Sequence, residues 1–160
     1  MNGDRMSSNL IATAKANTNI ALIKYWGKRD EKLFLPMNSS LSITLNSFFT
    51  ITTVEFKEEL KEDVLIWDQA KGTGKELIKV SSFLDIIRKE AKVNLYANVI
   101  TQNHVPTAAG FASSASGYAA LAAAASKAIG LNLSAEELSK IARRGSGSAC
   151  RSIFGGFVEW

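Results

Sequence analysis

The sequence predicts an α+β fold, in which a mostly antiparallel sheet carries its helices on one side. Apolar segments with period-two alternation or many β-branched residues are grouped early in the chain, and the clearest helical segments follow them. The connections between these segments are short. Strands that occur in runs before the helices favour an α+β fold over a repeated βαβ arrangement.

Composition sets the broad class of the protein. Its 160 residues suffice for one domain with a sizeable core, and 46% hydrophobic with 21% charged residues is ordinary for a globular domain. The net charge of +4 suits either a nucleic acid or a polyanionic small molecule as ligand. The single Cys150 excludes an intramolecular disulfide, and no apolar run approaches the length of a membrane span. We therefore expect a cytoplasmic location.

The start of the chain is predicted to be a flexible N-terminus over residues 1–10, followed by a domain over 11–160 that opens with a strand. Asn17 and Asn19 are poor mid-strand residues, so a turn or a helix cap is expected there. Residues 24–29 place several cations beside two aromatic rings. Such a segment either binds an anion or is a solvated basic stretch whose tryptophan packs into the core.

The middle of the chain is predicted to hold the remaining strands and an amphipathic helix. A charged turn over 58–63 is expected to be solvated, and the lone His104 is interpreted as structural because no triad or metal partner lies near it in sequence. Strands are predicted over 37–45, 48–56, 64–67 and 95–100, and a helix over 75–91 with Leu77, Phe83, Leu84 and Ile87 on its buried side.

A loop of small residues over 106–117 leads into an Ala-rich segment, 118–129, which predicts a helix because alanine is the strongest helix former. Ser113 or Ser114 is a suitable N-cap, and Gly130 marks the end. The unpaired N–H groups of a first helical turn can bind a phosphate that small residues allow to approach. The alternative is a capped core helix, and the loop matches neither a Walker-A nor a G-x-G-x-x-G pattern.

Near the C-terminal end, Ser134 and Glu137 form a capping box for a helix that runs to about Arg144. The segment after this helix combines glycines, serines and one further arginine. Ser148 and Arg151 are three residues apart, so a helical turn would place them on one face. The guanidinium could then bind a carboxylate or a phosphate with two hydrogen bonds. The alternative is a flexible basic loop.

Three segments resemble motifs of one family. The pattern P-x-x-x-G-x-x-S-S-A-S at 106–116 resembles the phosphate-binding motif of the GHMP kinase superfamily, with Ala112 where glycine is usual. Residues 16–28, A-N-T-N-I-A-L-I-K-Y-W-G-K, and the pattern R-R-G-S-G-S-x-x-R-S-x-x-G-G at 143–156 are similar to segments of the mevalonate diphosphate decarboxylases in that superfamily. The resemblance begins at about residue 11 and covers only the first half of the family's length.

The resemblance implies a GHMP kinase N-terminal domain, with a ribosomal protein S5 domain 2-like fold, truncated before the C-terminal domain. It implies ATP-dependent decarboxylation of mevalonate 5-diphosphate to isopentenyl diphosphate, with Mg²⁺ accompanying ATP. The substrate diphosphate and carboxylate would be bound by Tyr25, Lys28, Ser146, Ser148 and Arg151, of which Arg151 and Lys28 would also be catalytic. The implied ATP ligands are Pro106, Ala108, Ala109, Gly110, Ala112, Ser113 and Ser114, and the implied metal ligands are Ser113 and Ser114.

Other functions stay open at this point. Another GHMP kinase, such as mevalonate or phosphomevalonate kinase, would transfer phosphate without releasing CO2. A nucleic-acid-binding module is suggested by the basic charge, but the cations cluster beside Gly/Ser loops instead of along one face with exposed aromatics. We expect no nucleic acid or membrane partner and a homodimer in the full-length protein. The resemblance also implies a catalytic aspartate in the missing half, so whether this piece alone is active stays open.

Overall fold

The central sheet of the protein has six strands and is mostly antiparallel, as a computed structural model that describes residues 10–105 and 113–160 shows. The expected flexible segment lies, apart from Leu10, outside the described residues. The strands are β1 Ile11–Ile23, β2 Lys28–Asp30, β3 Leu35–Pro36, β4 Leu41–Lys57, β5 Val64–Trp67, β6 Ala70–Lys71, β7 Tyr96–His104 and β8 Phe157–Glu159. The helices are α1 Gly74–Ala91, α2 Ser113–Ala128, α3 Ala135–Gly145 and a 3₁₀ helix, Gly147–Ile153.

The strands follow the order β1-β4-β7-β5-β6, and β8 pairs with the start of β4. Among the described strands, only the β5–β7 pair is parallel, while β2 and β3 form a separate ribbon. Along β4, alternate residues are buried, so one face of the sheet carries the core under the helices. This arrangement confirms the predicted α+β class. Within the described residues, no helix is long and apolar enough to cross a bilayer.

Two predictions about the first strands are wrong. β1 continues through Asn17 and Asn19, where a turn or cap was expected, and the pairing of β1 with β4 shifts between Asn17 and Thr18. The two strands predicted over 37–45 and 48–56 are the single strand β4. This register shift accounts for both errors, because β4 residues 46–48 interrupt the pairing with β1 without ending either strand.

The helices agree closely with their local sequence signals. α1 buries Phe83, Leu84 and Ile87, and α3 begins with the predicted capping box of Ser134 and Glu137. α2 spans Ser113–Ala128, so Ser114 lies inside the helix and is not its N-cap. Apart from Ala123, the alanines of α2 are almost completely buried, because this helix packs directly against β1 and β4.

The charged turn before β5 was expected to be solvated, but its last residue, Asp63, is buried. Asp63 is 5% exposed and accepts two hydrogen bonds of 3.0 Å from Arg88 on α1, and it also accepts one of 2.8 Å from the N–H of Ala97 on β7. Burial by itself would lower the pKa of Arg88, but hydrogen bonds and charge from Asp63 and Asp85 outweigh it and raise that pKa. This buried pair ties α1 to the sheet.

Replacing Asp63→Asn should lower the free energy of unfolding by about 3 kcal/mol, because it leaves Arg88 buried without its main counter-charge. Urea denaturation followed by circular dichroism measures the change. Glu136→Gln is the control, since it breaks the exposed pair with Lys140, for which we expect a loss below about 1 kcal/mol. Equal losses in the two variants would contradict the structural role assigned to Asp63.

Candidate functional site

A row of serine hydroxyls joins the start of α2 to the 3₁₀ helix. The Oγ atom of Ser146 lies 3.5 Å from that of Ser114 and 3.3 Å from that of Ser148. Ser146 is the residue between α3 and the 3₁₀ helix, and Ser114 is in the first turn of α2. The fold therefore brings together one predicted ATP ligand and two predicted substrate ligands, at a helix N-terminus that favours anions.

Arg151 is in the same 3₁₀ helix as Ser148 and is 3% exposed. Its Nε donates to Oδ1 of Asn19 on β1 at 3.3 Å, and its Nη1 donates to Oγ of Ser40 at 2.6 Å. Among the described residues, Arg151 has no salt bridge to a carboxylate. Burial lowers the pKa of Arg151, although Cys150 and Tyr25 oppose this effect. A buried guanidinium with neutral partners is electrostatically prepared for an anionic ligand.

Asn19 and Ser40 are functional candidates that the sequence analysis missed. Asn19 is 6% exposed, and its Nδ2 donates to the carbonyl of Ser148 at 3.0 Å and to Oγ of Ser152 at 2.7 Å. One amide thus orients Arg151 and fastens the 3₁₀ helix to β1. The available signal was a polar residue inside an apolar strand, which we had interpreted as a turn.

Tyr25 reaches the same region from the loop after β1. Its ring meets that of Trp160 edge to face at 4.9 Å, and the Arg151 guanidinium carbon lies 5.8 Å from the Trp160 ring centre. A Cβ atom on Gly147 would lie 2.5 Å from the Tyr25 hydroxyl oxygen, so this approach requires a glycine. The phenol therefore lies beside the turn that presents Ser146 and Ser148.

The connection of Lys28 to the serine row is indirect. Its Nζ lies 4.1 Å above the ring centre of Phe34, and no hydrogen bond joins it to the serines or to Arg151 in the part of the chain described. Phe34 lines a cavity of about 520 Å³, which Ser114, Ser146 and Arg144 also line. Lys28 is therefore at the rim of a space that leads to the serine row.

A second cavity, of about 310 Å³, is also lined by the start of α2, through Ser114, Gly117 and Tyr118. Leu65, Val80, Val99 and Leu121 contribute to its apolar walls, and Trp67 stands at its edge with 38% exposure. Its polar lining includes Glu76, Lys79, Asn103 and Ser114. Apolar walls with a few polar groups, at this volume, are typical of small-molecule sites.

The phosphate-loop candidates Pro106, Ala108, Ala109, Gly110 and Ala112, and the side chain of Ser113, lie outside the described residues. No group of three His, Cys, Asp or Glu side chains suited to a metal ion occurs in the part that is described. A serine hydroxyl such as that of Ser114 can complete the oxygen shell of a Mg²⁺ ion held mainly by phosphates and water. The donor set therefore fits magnesium that arrives with a nucleotide.

Cys150 should be unreactive in the folded protein. It is 2% exposed, its Sγ donates to the Gly147 carbonyl at 3.0 Å, and burial raises its pKa to about 11, against the opposing charges of Arg151 and Arg143. At pH 8 we expect alkylation by iodoacetamide to be about a hundredfold slower than in urea-unfolded chain. Equal alkylation rates in the folded and the unfolded chain would contradict this burial.

The contribution of the Cys150 thiol to the free energy of unfolding should be complete below about pH 8.5 and should be lost as the pH rises toward 11.

Comparison with known proteins identifies the family of this chain. Residues 16–160 match the family model described as the diphosphomevalonate decarboxylase-like N-terminal domain. The diphosphomevalonate decarboxylase of Debaryomyces hansenii is 45% identical over 163 residues, which cover 93% of this chain and 42% of that protein. The human diphosphomevalonate decarboxylase is 43% identical over 164 residues, which cover 92% of this chain and 40% of that protein. The chain thus spans less than half the length of these curated relatives.

Solved structures show the same similarity. The mevalonate diphosphate decarboxylase of Enterococcus faecalis superposes with a TM-score of 0.91 at 58% identity, covering 96% of this chain and 48% of that one. A structure of MDDEF in complex with MVAPP, AMPPCP and magnesium superposes with a TM-score of 0.91 at 58% identity. The match covers 96% of this chain and 47% of that one. With a family model that matches nearly the whole chain, the protein belongs to the diphosphomevalonate decarboxylase-like N-terminal domain family.

Proposed function

We propose that this chain supplies the substrate and ATP sites for the ATP-dependent decarboxylation of mevalonate 5-diphosphate to isopentenyl diphosphate. The observation that carries the proposal is Arg151, a buried cation whose hydrogen-bond partners among the described residues are neutral. Its position beside the serine row fits a ligand that carries both a carboxylate and a diphosphate. The names and ligands of the relatives support the same conclusion.

Arg151 would hold the substrate carboxylate. The reaction transfers the γ-phosphoryl group of ATP to the tertiary hydroxyl, and departure of phosphate then leaves that carbon electron-poor. The electron pair of the carbon–carboxylate bond forms the new double bond as CO2 leaves. A guanidinium held by Asn19 and Ser40 would keep the carboxylate in one orientation during this step, and orientation of this kind is a large part of catalysis.

The substrate diphosphate would lie along Ser146, Ser148 and Tyr25, whose hydroxyl groups are suitable donors to phosphate oxygens. Lys28, at the rim of the adjoining cavity, would add a positive charge and assist catalysis by neutralising phosphate. Hydrogen bonds to charged groups are the stronger class, so a few such donors suffice to anchor the diphosphate.

ATP would place its nucleoside in the cavity of about 310 Å³ and its phosphates at the start of α2, beside Ser114. Residues 106–113 would complete the phosphate site. Mg²⁺, when bound with the nucleotide, would neutralise phosphate charge, with Ser113 or Ser114 as its protein ligand. Phosphoryl transfer depends mainly on positioning and charge neutralisation. The cavity and the start of α2 carry groups suited to both.

The proposal can be tested in a chimaera that joins residues 10–160 to the half of the Enterococcus faecalis relative that this chain does not span. With ATP, magnesium and mevalonate 5-diphosphate, we expect ADP and CO2 in equal amounts. ADP release without CO2, from a chimaera that is folded by circular dichroism, would instead indicate a kinase. Absence of ATP binding would refute the nucleotide site.

In this chimaera, Arg151→Ala should reduce the turnover number by at least about a hundredfold, because the carboxylate loses its orientation. Affinity for ATP should change less than about twofold. Steady-state kinetics and calorimetric titration with ATP separate the two effects. Arg29→Ala, which removes an exposed arginine, is the control and should leave both values unchanged. Equal losses of turnover and ATP affinity would refute the role assigned to Arg151.

Gly147→Ala should weaken binding of mevalonate 5-diphosphate by about tenfold, because the new Cβ displaces the Tyr25 hydroxyl that donates to the diphosphate. Calorimetric titration measures the affinity. Gly155→Ala is the matched control, since a Cβ there meets no atom within 4 Å. If both variants bind as tightly as the unmodified protein, Tyr25 is not a diphosphate ligand.

A further inference from the structure

The backbone of Trp160 is fixed beside the proposed substrate site. Its N–H donates to the carbonyl of Ser40 at 2.9 Å, and its carbonyl accepts from the N–H of Ser40 at 2.7 Å. These two hydrogen bonds extend the pairing of β8 with β4 by one residue beyond Glu159 and Leu41. Because Ser40 is 1% exposed, water has little access with which to compete for them.

The same serine connects Trp160 to Arg151. Oγ of Ser40 accepts from Nη1 of Arg151 at 2.6 Å, and the guanidinium carbon of Arg151 lies 5.8 Å from the Trp160 ring centre. At this distance the electron-rich face of an indole attracts a cation. Backbone pairing and the guanidinium therefore both hold the indole in one place.

The indole in turn restrains the ring of Tyr25. The two rings meet edge to face, with their centres 4.9 Å apart and their planes at 87°, a preferred geometry for aromatic pairs. Tyr25 lies between β1 and β2, where its neighbours Lys24 and Trp26 are exposed, so no strand pairing holds it. A Cβ on Gly147 would lie 2.5 Å from the phenol oxygen and 3.5 Å from Cη2 of Trp160, so this turn packs against both rings.

We propose that Trp160 is a positioning residue for the substrate, which holds the Tyr25 hydroxyl where it donates to the diphosphate. The inference rests on the proposed function, because it requires the diphosphate beside Tyr25. A phenol that is fixed before the substrate arrives reduces the entropy cost of binding. Replacement of Trp160 should therefore lower the affinity for the substrate and leave the affinity for ATP unchanged.

The test measures the affinity of the 160-residue chain for mevalonate 5-diphosphate by calorimetric titration. Trp160→Leu should weaken binding by about tenfold, because the phenol loses the ring that restrains it, while Trp160→Phe, which keeps an aromatic ring, should stay within about threefold. The affinity for Mg-ATP should change less than about twofold in both variants. Trp26→Leu is the matched control, since it removes an indole that is 76% exposed, and both affinities should stay unchanged.

Tryptophan fluorescence gives a measurement that does not depend on the folding of Trp160→Leu. The substrate would engage the Tyr25 phenol and the Arg151 guanidinium, which both lie against the Trp160 ring. Titration with mevalonate 5-diphosphate should therefore change the tryptophan emission of the unmodified chain and of Trp26→Leu, but not that of Trp160→Phe. An emission change that persists in Trp160→Phe would overturn the inference.

Tyr25→Phe separates positioning from a purely structural role. This variant removes the hydroxyl and keeps the ring, so adding Trp160→Leu to it should cause less than about twofold further loss of substrate affinity. A further loss as large as in the unmodified background, or unchanged affinity in Trp160→Leu, would overturn the inference while leaving the substrate site intact. An unmodified, folded chain that does not bind mevalonate 5-diphosphate would overturn the substrate site and this inference together.

Discussion

The close packing of α2 against β1 and β4 is the constraint on which the rest of the site depends. Ala115, Ala119, Ala120, Ala122, Ala124 and Ala125 are each 0% exposed. Methyl side chains let the helix axis approach the sheet closely, and interiors packed at this density do not yield to larger groups. The first turn of α2 consequently lies where Ser114 meets the serine row and Ser116 meets Thr50.

Two buried arginines in the same domain have opposite electrostatic environments. Arg88 has two carboxylate partners, and its pKa is raised, which is the pattern of a structural ion pair. Arg151 has amide and hydroxyl partners, and burial lowers its pKa. A buried charge whose partners among the described residues are all neutral costs stability, and an anionic ligand at Arg151 would offset that cost. Arg88 therefore stabilises the fold, whereas Arg151 is the residue that we propose for the reaction.

Local patterns were sufficient for the helices and for the class of the fold. The capping box at Ser134 and the alanines of α2 act within a few residues, so the sequence predicts both correctly. The errors occurred at polar residues that satisfy their hydrogen bonds at long range. Asn19 looked like a turn residue, and Asp63 looked solvated, because their partners were not adjacent in the chain.

By itself, the sequence determined the fold class, the three α-helices, the family motifs and the residue types that the site would contain. Only the tertiary structure decided which of those polar side chains are buried and which groups they meet. Asn19 and Arg151 are 132 residues apart, and Thr18 and Ser116 are 98 apart. Contacts at such separations depend on strand register and helix docking, and these are set by packing of the whole core instead of by any local preference.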